Sequence, residues 1–137
     1  MPTEILEHCD TVEECYEFML AYAAQGHPND QGSKSGAQIR EFLQRAATAI
    51  RALAEAYSKV VKDELLEPAE KYQVFLAVLD RDAQDSLAAI DLVLAQATIS
   101  SQLVDNLNAS VHLRALLTDL FLVSDILSSH LASQQIR

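Results

Sequence analysis

The stretch from Leu113 to Leu131 constrains the fold more than any other part of this 137-residue chain. Ten of the fifteen residues from 113 to 127 are apolar. At 100° per residue their side chains cover most of a helix circumference, and such a helix has to be surrounded by others. Polar residues interrupt the stretch at Arg114, Asp119 and Asp125, so we expect a core helix and not a membrane span.

The composition favours a core built from helices packed on helices. Half of the residues are hydrophobic, but only 6% are aromatic and Trp is absent, so Leu, Ala, Val and Ile must fill the interior. A chain of this length has the size of one domain and buries about two thirds of its extended surface. We therefore expect residues 1–137 to form a single all-α domain. The predicted arrangement is an antiparallel up-and-down bundle with a short N-terminal helix and three long helices.

The formal net charge of -10 restricts the classes of partner. Nucleic acid and anionic membrane surfaces both attract clustered Lys and Arg, so neither is expected here, whereas a basic protein partner fits. Cys9 and Cys15 lie close together near a start that does not resemble a signal peptide. We expect a cytoplasmic, reduced setting in which both thiols are small hydrophobic core residues.

Local signals predict where the first helices begin and end. Residues Pro2–Asp10 are expected to form a single turn or a short helix packed against the body. Thr11 and Glu14 have the spacing of a capping box, which predicts that the first helix begins near Val12. Gly26 then stands where a left-handed residue commonly ends a helix.

The segment Gly26–Gly36 contains all three glycines of the protein. We interpret it as a solvated connector, with a binding loop as the alternative. Ser35 and Gln38 predict a capping box at the start of a helix of about thirty residues, and Pro68 predicts the start of the next one. The longer helix has a seven-residue apolar repeat typical of left-handed bundles. The repeat comprises Ile39, Leu43, Ala46, Ile50, Leu53, Tyr57 and Val60.

The last helix is predicted to begin after a turn and cap at Thr98–Ser101 and to continue to about Ser133. Its apolar face changes sides near His112. Because no Pro or Gly is present to kink the helix, we favour two halves that pack against different neighbours, one of them across an oligomer interface. A kink is the alternative.

Four polar residues of this helix form the first candidate site. Asp105, Asn108, His112 and Asp119 point within about 60° of one another on a continuous helix. A His with carboxylate and amide neighbours at the mouth of a cavity would suit ligand binding or proton transfer. The simpler interpretation is that this part of the face is exposed to solvent.

A second candidate site is a partner surface around Phe121. This residue lies in the thin polar strip of the apolar half and is therefore predicted to be exposed. An exposed aromatic residue beside further apolar side chains is typical of a protein-binding surface. The predicted partner-binding residues are Phe121, Leu117, Leu122 and Arg114.

No catalytic constellation is evident, so the favoured function is association without enzymatic activity, as a homodimer and as an adaptor or assembly factor. No cofactor or metal is expected. A metal- or cofactor-binding four-helix bundle is the alternative, but di-iron bundles need Glu-x-x-His motifs, which this sequence lacks. A local metal site would have to use Glu4, Glu7, His8 and Cys9.

A histidine phosphotransfer-like domain is the remaining alternative. His112 would be the phosphate acceptor, with Arg114 as the basic residue that follows it. Such domains are helical bundles of similar size, but they usually place a small residue and a Lys in a tighter motif. The sequence around His112 matches that pattern poorly.

Overall fold

Five helices make up the part of the chain that the computed structural model describes, which is residues 2–136, with side chains described for residues 3–133. No strand occurs within residues 2–136. The helices are α1 (Pro2–Ala24), α2 (Lys34–Asp63), α3 (Ala69–Leu94), α4 (Ser101–Ala109) and α5 (Val111–Ile136). The prediction of an all-α fold is confirmed, whereas several predicted helix boundaries are wrong.

The helices surround a common hydrophobic interior. α1 packs against α2, α4 and α5, and α3 packs against α2 and α5. Buried side chains from all five helices form a continuous cluster in the described part of the chain. Leu, Ala, Val and Ile dominate this cluster, as the composition predicted.

α1 is one helix of 23 residues, so the predicted short N-terminal helix and the predicted start near Val12 are both wrong. The Thr11 hydroxyl donates a hydrogen bond to the carbonyl oxygen of Glu7, four residues earlier, and therefore does not cap a new helix. An uninterrupted buried stripe explains the continuity, because breaking the helix at Thr11 would move half of the stripe out of the core. The stripe comprises Ile5, Cys9, Val12, Cys15, Met19 and Tyr22.

α2 begins slightly earlier than predicted and buries the predicted repeat. Its N-cap is Ser33 and not Ser35, because the Ser33 hydroxyl accepts a hydrogen bond from the Gly36 amide at 2.9 Å. All seven residues of the apolar repeat are buried, and the helix has 30 residues. Pro68 occupies the position immediately before α3.

The connection between α1 and α2 is partly exposed to solvent, as predicted, and is also held in place by hydrogen bonds. Asp30 accepts hydrogen bonds from the backbone amide of Ile99 at 2.7 Å and from Nε of Arg40 at 2.6 Å. The hydroxyl of Tyr22 donates to the Ile99 carbonyl at 2.7 Å. Arg40 also donates to the carbonyl oxygens of Leu94, Gln96 and Ala97. This network joins the α1–α2 connection to the α3–α4 connection.

The predicted continuous last helix is wrong, because the chain breaks between α4 and α5 at Ser110. The Ser110 backbone is extended, with φ −63° and ψ 143°, and its hydroxyl donates to the Leu107 carbonyl at 2.6 Å. α4 packs mainly against α1, whereas α5 packs against α3 and α1. The apolar face therefore changes sides at a break, and both segments have neighbours within the same chain. Ser100 caps α4 by accepting a hydrogen bond from the Leu103 amide, within the predicted turn.

Candidate functional site

The middle of α5 exposes apolar side chains on both sides of its buried face. Phe121 is 57% exposed and Leu122 is 51% exposed, and Ile126 is exposed as well. Leu120 and Val123 lie on the buried face of the helix, between these two exposed edges. The predicted exposure of Phe121 is confirmed. The described helices of this chain therefore leave part of the apolar circumference of α5 uncovered.

An apolar groove of about 310 Å³ lies between α5 and the first turns of α3. The polar side-chain groups of its lining residues are the ammonium of Lys71 and the hydroxyls of Tyr57 and Tyr72. The Tyr57 hydroxyl donates to the Tyr72 carbonyl at 2.8 Å. The remaining surface is aliphatic or aromatic. The groove is lined by Tyr57, Pro68, Lys71, Tyr72, Phe75, Leu122, Val123, Ile126 and Leu127. A surface of this kind suits an apolar ligand or a partner side chain more than a polar substrate.

The predicted partner-binding residues do not lie together. Phe121 faces α1, where it borders a depression with Glu13 and Glu17, whereas Leu122 belongs to the groove beside α3. Leu117 is only 4% exposed and is therefore part of the core. Arg114 is exposed and donates to the carbonyl oxygen of Ala109 at 3.3 Å. Of the predicted set, Phe121 and Leu122 offer apolar surface, and they lie on different sides of α5.

The predicted polar site is not assembled as expected. It assumed a continuous helix, and the break at Ser110 places Asp105 and Asn108 on α4 but His112 and Asp119 on α5. Asp105 and His112 are exposed. Asn108 is buried, and neither atom of its side-chain amide has a hydrogen-bond partner among the described residues.

Asp119 instead meets Asp82 across the contact between α3 and α5. Burial and the neighbouring Asp82 carboxyl, which is within hydrogen-bonding reach, raise the pKa of Asp119 to about 7. Two carboxyl groups so close together share a proton more readily than they both ionise. One turn further along α3, the hydroxyl of the buried Ser86 donates to the His112 carbonyl at 2.9 Å. The Ser86 hydrogen bond joins α3 to the start of α5, whereas the two carboxyl groups repel each other when both are ionised.

The residues considered for a local metal site near the N-terminus have different surroundings and do not form one site. Glu4 lies 4.0 Å from Nζ of Lys59, and Cys9 is buried, which raises the pKa of its thiol. Nε2 of His8 is buried without a hydrogen-bond partner in the described part of the chain. Within residues 3–133, no three His, Cys, Asp or Glu side chains gather in a group that would hold a metal ion.

Length and composition alone would allow the stretch Val111–Ser133 of α5 to cross a membrane, despite its polar interruptions. A core helix of a soluble protein passes the same test, and here Leu113, Leu116 and Leu120 are buried among other helices. Only 28% of the most apolar part of this stretch is buried within the chain. α5 therefore has more apolar surface than the other described helices of this chain cover.

The sequence did not point to the part of the groove that lies outside α5. The seven-residue repeat predicts that Tyr57 is buried, and no pattern singles out Lys71 or Phe75. The available signal was a group of apolar and aromatic residues near the start of α3, at Tyr72, Val74 and Phe75. The packing of α5 beside α3 brings Tyr72 and Phe75 into the groove.

Comparisons of the chain with protein-family models, with curated proteins and with solved structures found no match. The helices and their contacts therefore supply the observations that bear on function. The groove between α3 and α5 is the strongest of them, because it is both apolar and open. The pair of Asp82 and Asp119 is half-buried at the contact between α3 and α5 and does not adjoin the groove.

Proposed function

We propose that this is a non-enzymatic helical-bundle protein that acts through protein association, as a homodimer and as an adaptor or assembly factor in the cytoplasm. We further propose that its helices form an antiparallel up-and-down bundle, in which α4 and α5 together take the fourth position. The support for this arrangement is that α2 and α5 each pack against both α1 and α3.

The observation that carries the proposed function is the uncovered apolar surface of α5 and its groove. Leu122 and Ile126 are exposed beside a groove lined mostly by aromatic and aliphatic side chains. Exposed apolar patches of this kind on soluble proteins commonly mark interaction sites, because covering them removes apolar area from water. Each such side chain contributes about 1.5 to 3 kcal/mol on full burial, less the fraction already covered.

The acidic character of α1 favours a partner with basic residues. Phe121 lies beside Glu13 and Glu17, and burial together with the charges of Asp10 and Glu17 raises the pKa of Glu13. A basic side chain near this cluster would relieve the repulsion among the carboxylates while Phe121 supplies apolar contact. The adaptor role is therefore proposed for a partner that combines apolar and basic residues.

Solution mass tests the association directly. Light scattering coupled to size exclusion, at micromolar concentration, is expected to give twice the chain mass of 15.1 kDa. The double variant Leu122→Glu/Ile126→Glu is expected to lose the dimer or a captured partner, because each carboxylate would have to be desolvated in the groove.

The matched control is Thr118→Glu/Ser129→Glu, which adds the same charge at exposed polar positions of α5. The control is expected to keep the mass and the partners of the wild-type protein. A wild-type protein that is strictly monomeric, and whose groove variant captures the same proteins as the control, would overturn the proposal.

A further inference from the structure

The exposed side of α3 has a pattern of its own. Along it, exposed residues follow one another at alternating steps of four and three, which is a strict seven-residue repeat. The six positions are Val74, Val78, Arg81, Asp85, Ala88 and Leu92. Val74 is 70% exposed and Leu92 is 67% exposed, so the stripe is apolar at its ends and charged in its middle.

This pattern is self-complementary when it is read in the opposite direction. The six positions form three pairs whose members are equally far from Ala83 along the chain. These pairs are Val74 with Leu92, Val78 with Ala88, and Arg81 with Asp85. A two-fold axis at that level would place each residue opposite its counterpart in a second copy. Val74 would then face Leu92, Val78 would face Ala88, and opposite charges would meet twice.

We propose that a second copy of this chain packs on the stripe, so that the two α3 helices form an antiparallel two-fold seam with Arg81 of each copy opposite Asp85 of the other. This assignment rests on the homodimer of the proposed function and specifies its geometry. The stripe extends about 27 Å at 1.5 Å per residue, which is long enough for an extended helix contact.

The charges select the antiparallel orientation. A parallel pair of α3 helices would place Arg81 beside Arg81 and Asp85 beside Asp85, which is repulsive at both levels. Neither side chain forms an ion pair within the described part of the chain, so both are available to a second copy. Charged residues at seam positions of helix pairs commonly set register and orientation at a cost in affinity.

The apolar groove continues this surface. Lys71 and Phe75, which line the groove, flank Val74 at one end of the stripe, and Leu122 and Ile126 lie across the groove from them. A stable interface usually involves about 20 to 30 residues on each side, which exceeds the six positions of the stripe. The adjoining apolar surface of α5 supplies the additional area that the second copy covers.

Charge exchange at the centre of the seam tests this geometry. Arg81→Asp would place an acid opposite Asp85 twice, so the dissociation constant of the dimer is expected to rise about tenfold or more. Arg81→Asp/Asp85→Arg restores opposite charges and is expected to recover the dimer. Both positions are exposed, and circular dichroism with thermal unfolding checks that each variant keeps its fold.

Cross-linking gives an independent measurement. Val78→Cys/Ala88→Cys places cysteines opposite each other in the two copies and is expected to give a disulfide-linked dimer on mild oxidation. The native Cys9 and Cys15 are buried and do not interfere. Gln73→Cys/Gln84→Cys, also exposed on α3 but outside the stripe, is expected to remain unlinked.

The outcomes separate this inference from the proposed function. A wild-type dimer that persists in Arg81→Asp and does not cross-link through positions 78 and 88 would overturn the α3 seam but leave association through another surface. A wild-type protein that is monomeric at micromolar concentration would overturn the seam together with the homodimer of the proposed function. Loss of the dimer in Arg81→Asp, its recovery in the exchanged variant and the expected cross-link would together support the seam.

Discussion

Gly36 lies in the first turn of α2, close to the backbone of Asp30. A Cβ atom at this position would lie 2.1 Å from the Asp30 carbonyl oxygen, which is a contact that real Cβ atoms do not make. The neighbouring Asp30 side chain holds Ile99 and Arg40, so the backbone there is not free to move away. The glycine is required by close approach, because its φ is not in the left-handed region.

Gly36→Ala is therefore expected to lower the free energy of unfolding by about 2 to 3 kcal/mol, through forced displacement of the Asp30 backbone. Urea denaturation monitored by circular dichroism measures the effect. Ala37→Gly is the control at the next, exposed position and is expected to cost about 0.5 to 1 kcal/mol. A Gly36→Ala protein as stable as the wild type would show that this contact is relaxed in solution.

The carboxyl of Asp119 makes stability depend on pH. Its folded pKa of about 7 lies above the ordinary value of 3.8 because of burial and Asp82, so the folded state binds more protons than the unfolded state between these values. The contribution of this group to stability is therefore present below about pH 4 and is lost as pH rises through about 7.

Asp119→Asn, which keeps a hydrogen-bond donor toward Asp82 without the charge, is expected to stabilise the protein at pH 8 by about 1 to 2 kcal/mol, a figure reduced for partial exposure of the carboxyl. Little change is expected at pH 4. Denaturant titrations at both pH values, with the exposed Asp125→Asn as a control, measure the difference. An equal effect at the two pH values would contradict a shared proton.

At the scale of a helix, α5 has a buried face and two uncovered apolar edges. Adjacent residues show the contrast, because Leu120 is fully buried and Phe121 is more than half exposed. Both residues lie in the middle of the same helix, so the difference in exposure comes from which side of α5 the neighbouring helices cover. This contrast can be measured by removing each side chain in turn.

Leu120→Ala is expected to lower the free energy of unfolding by about 2 to 5 kcal/mol, because it leaves a cavity among packed helices. Phe121→Ala is expected to cost about 1 kcal/mol or less, since much of the ring is already in water. Chemical denaturation of the two variants under one set of conditions compares them. Equal losses would mean that the Phe121 ring is covered in solution.

The helices also show where local signals fail. Thr11 and Glu14 have the spacing of a cap, yet α1 continues through them because the buried stripe on both sides is uninterrupted. Ser110 has no Pro or Gly beside it, yet the chain breaks there because α4 and α5 bury different faces against different partners. In both cases the packing of whole faces outweighs a local preference of about 1 kcal/mol.

For the molecule as a whole, the two cysteines report on opening of the core. Cys9 and Cys15 are buried in α1, and burial raises the pKa of Cys15 to about 12, although Arg45 acts in the opposite direction. The thiols of the folded protein are therefore protonated and inaccessible near neutral pH, so that they react with thiol reagents only when α1 leaves the core.

Both thiols are expected to remain unlabelled by an aromatic disulfide reagent in the native protein at pH 8, and to react completely in denaturant. Absorbance of the released thiolate follows the reaction. Ser129→Cys, at an exposed position of α5, is the control and is expected to react at once. Rapid labelling of the native wild-type protein would show that α1 detaches without global unfolding.

The sequence alone determined the all-α class, the buried repeat of α2, the turn at Gly26 with its positive φ, the cap before α4 and the exposure of Phe121. Each of these depends on the order of apolar and polar residues within a few helical turns, and the sequence contains that order directly. The tertiary structure decided the continuity of α1, the break at Ser110, the groove beside α3 and the meeting of Asp82 with Asp119. These features depend on which helices lie side by side, and contacts between residues far apart in the sequence leave no local pattern.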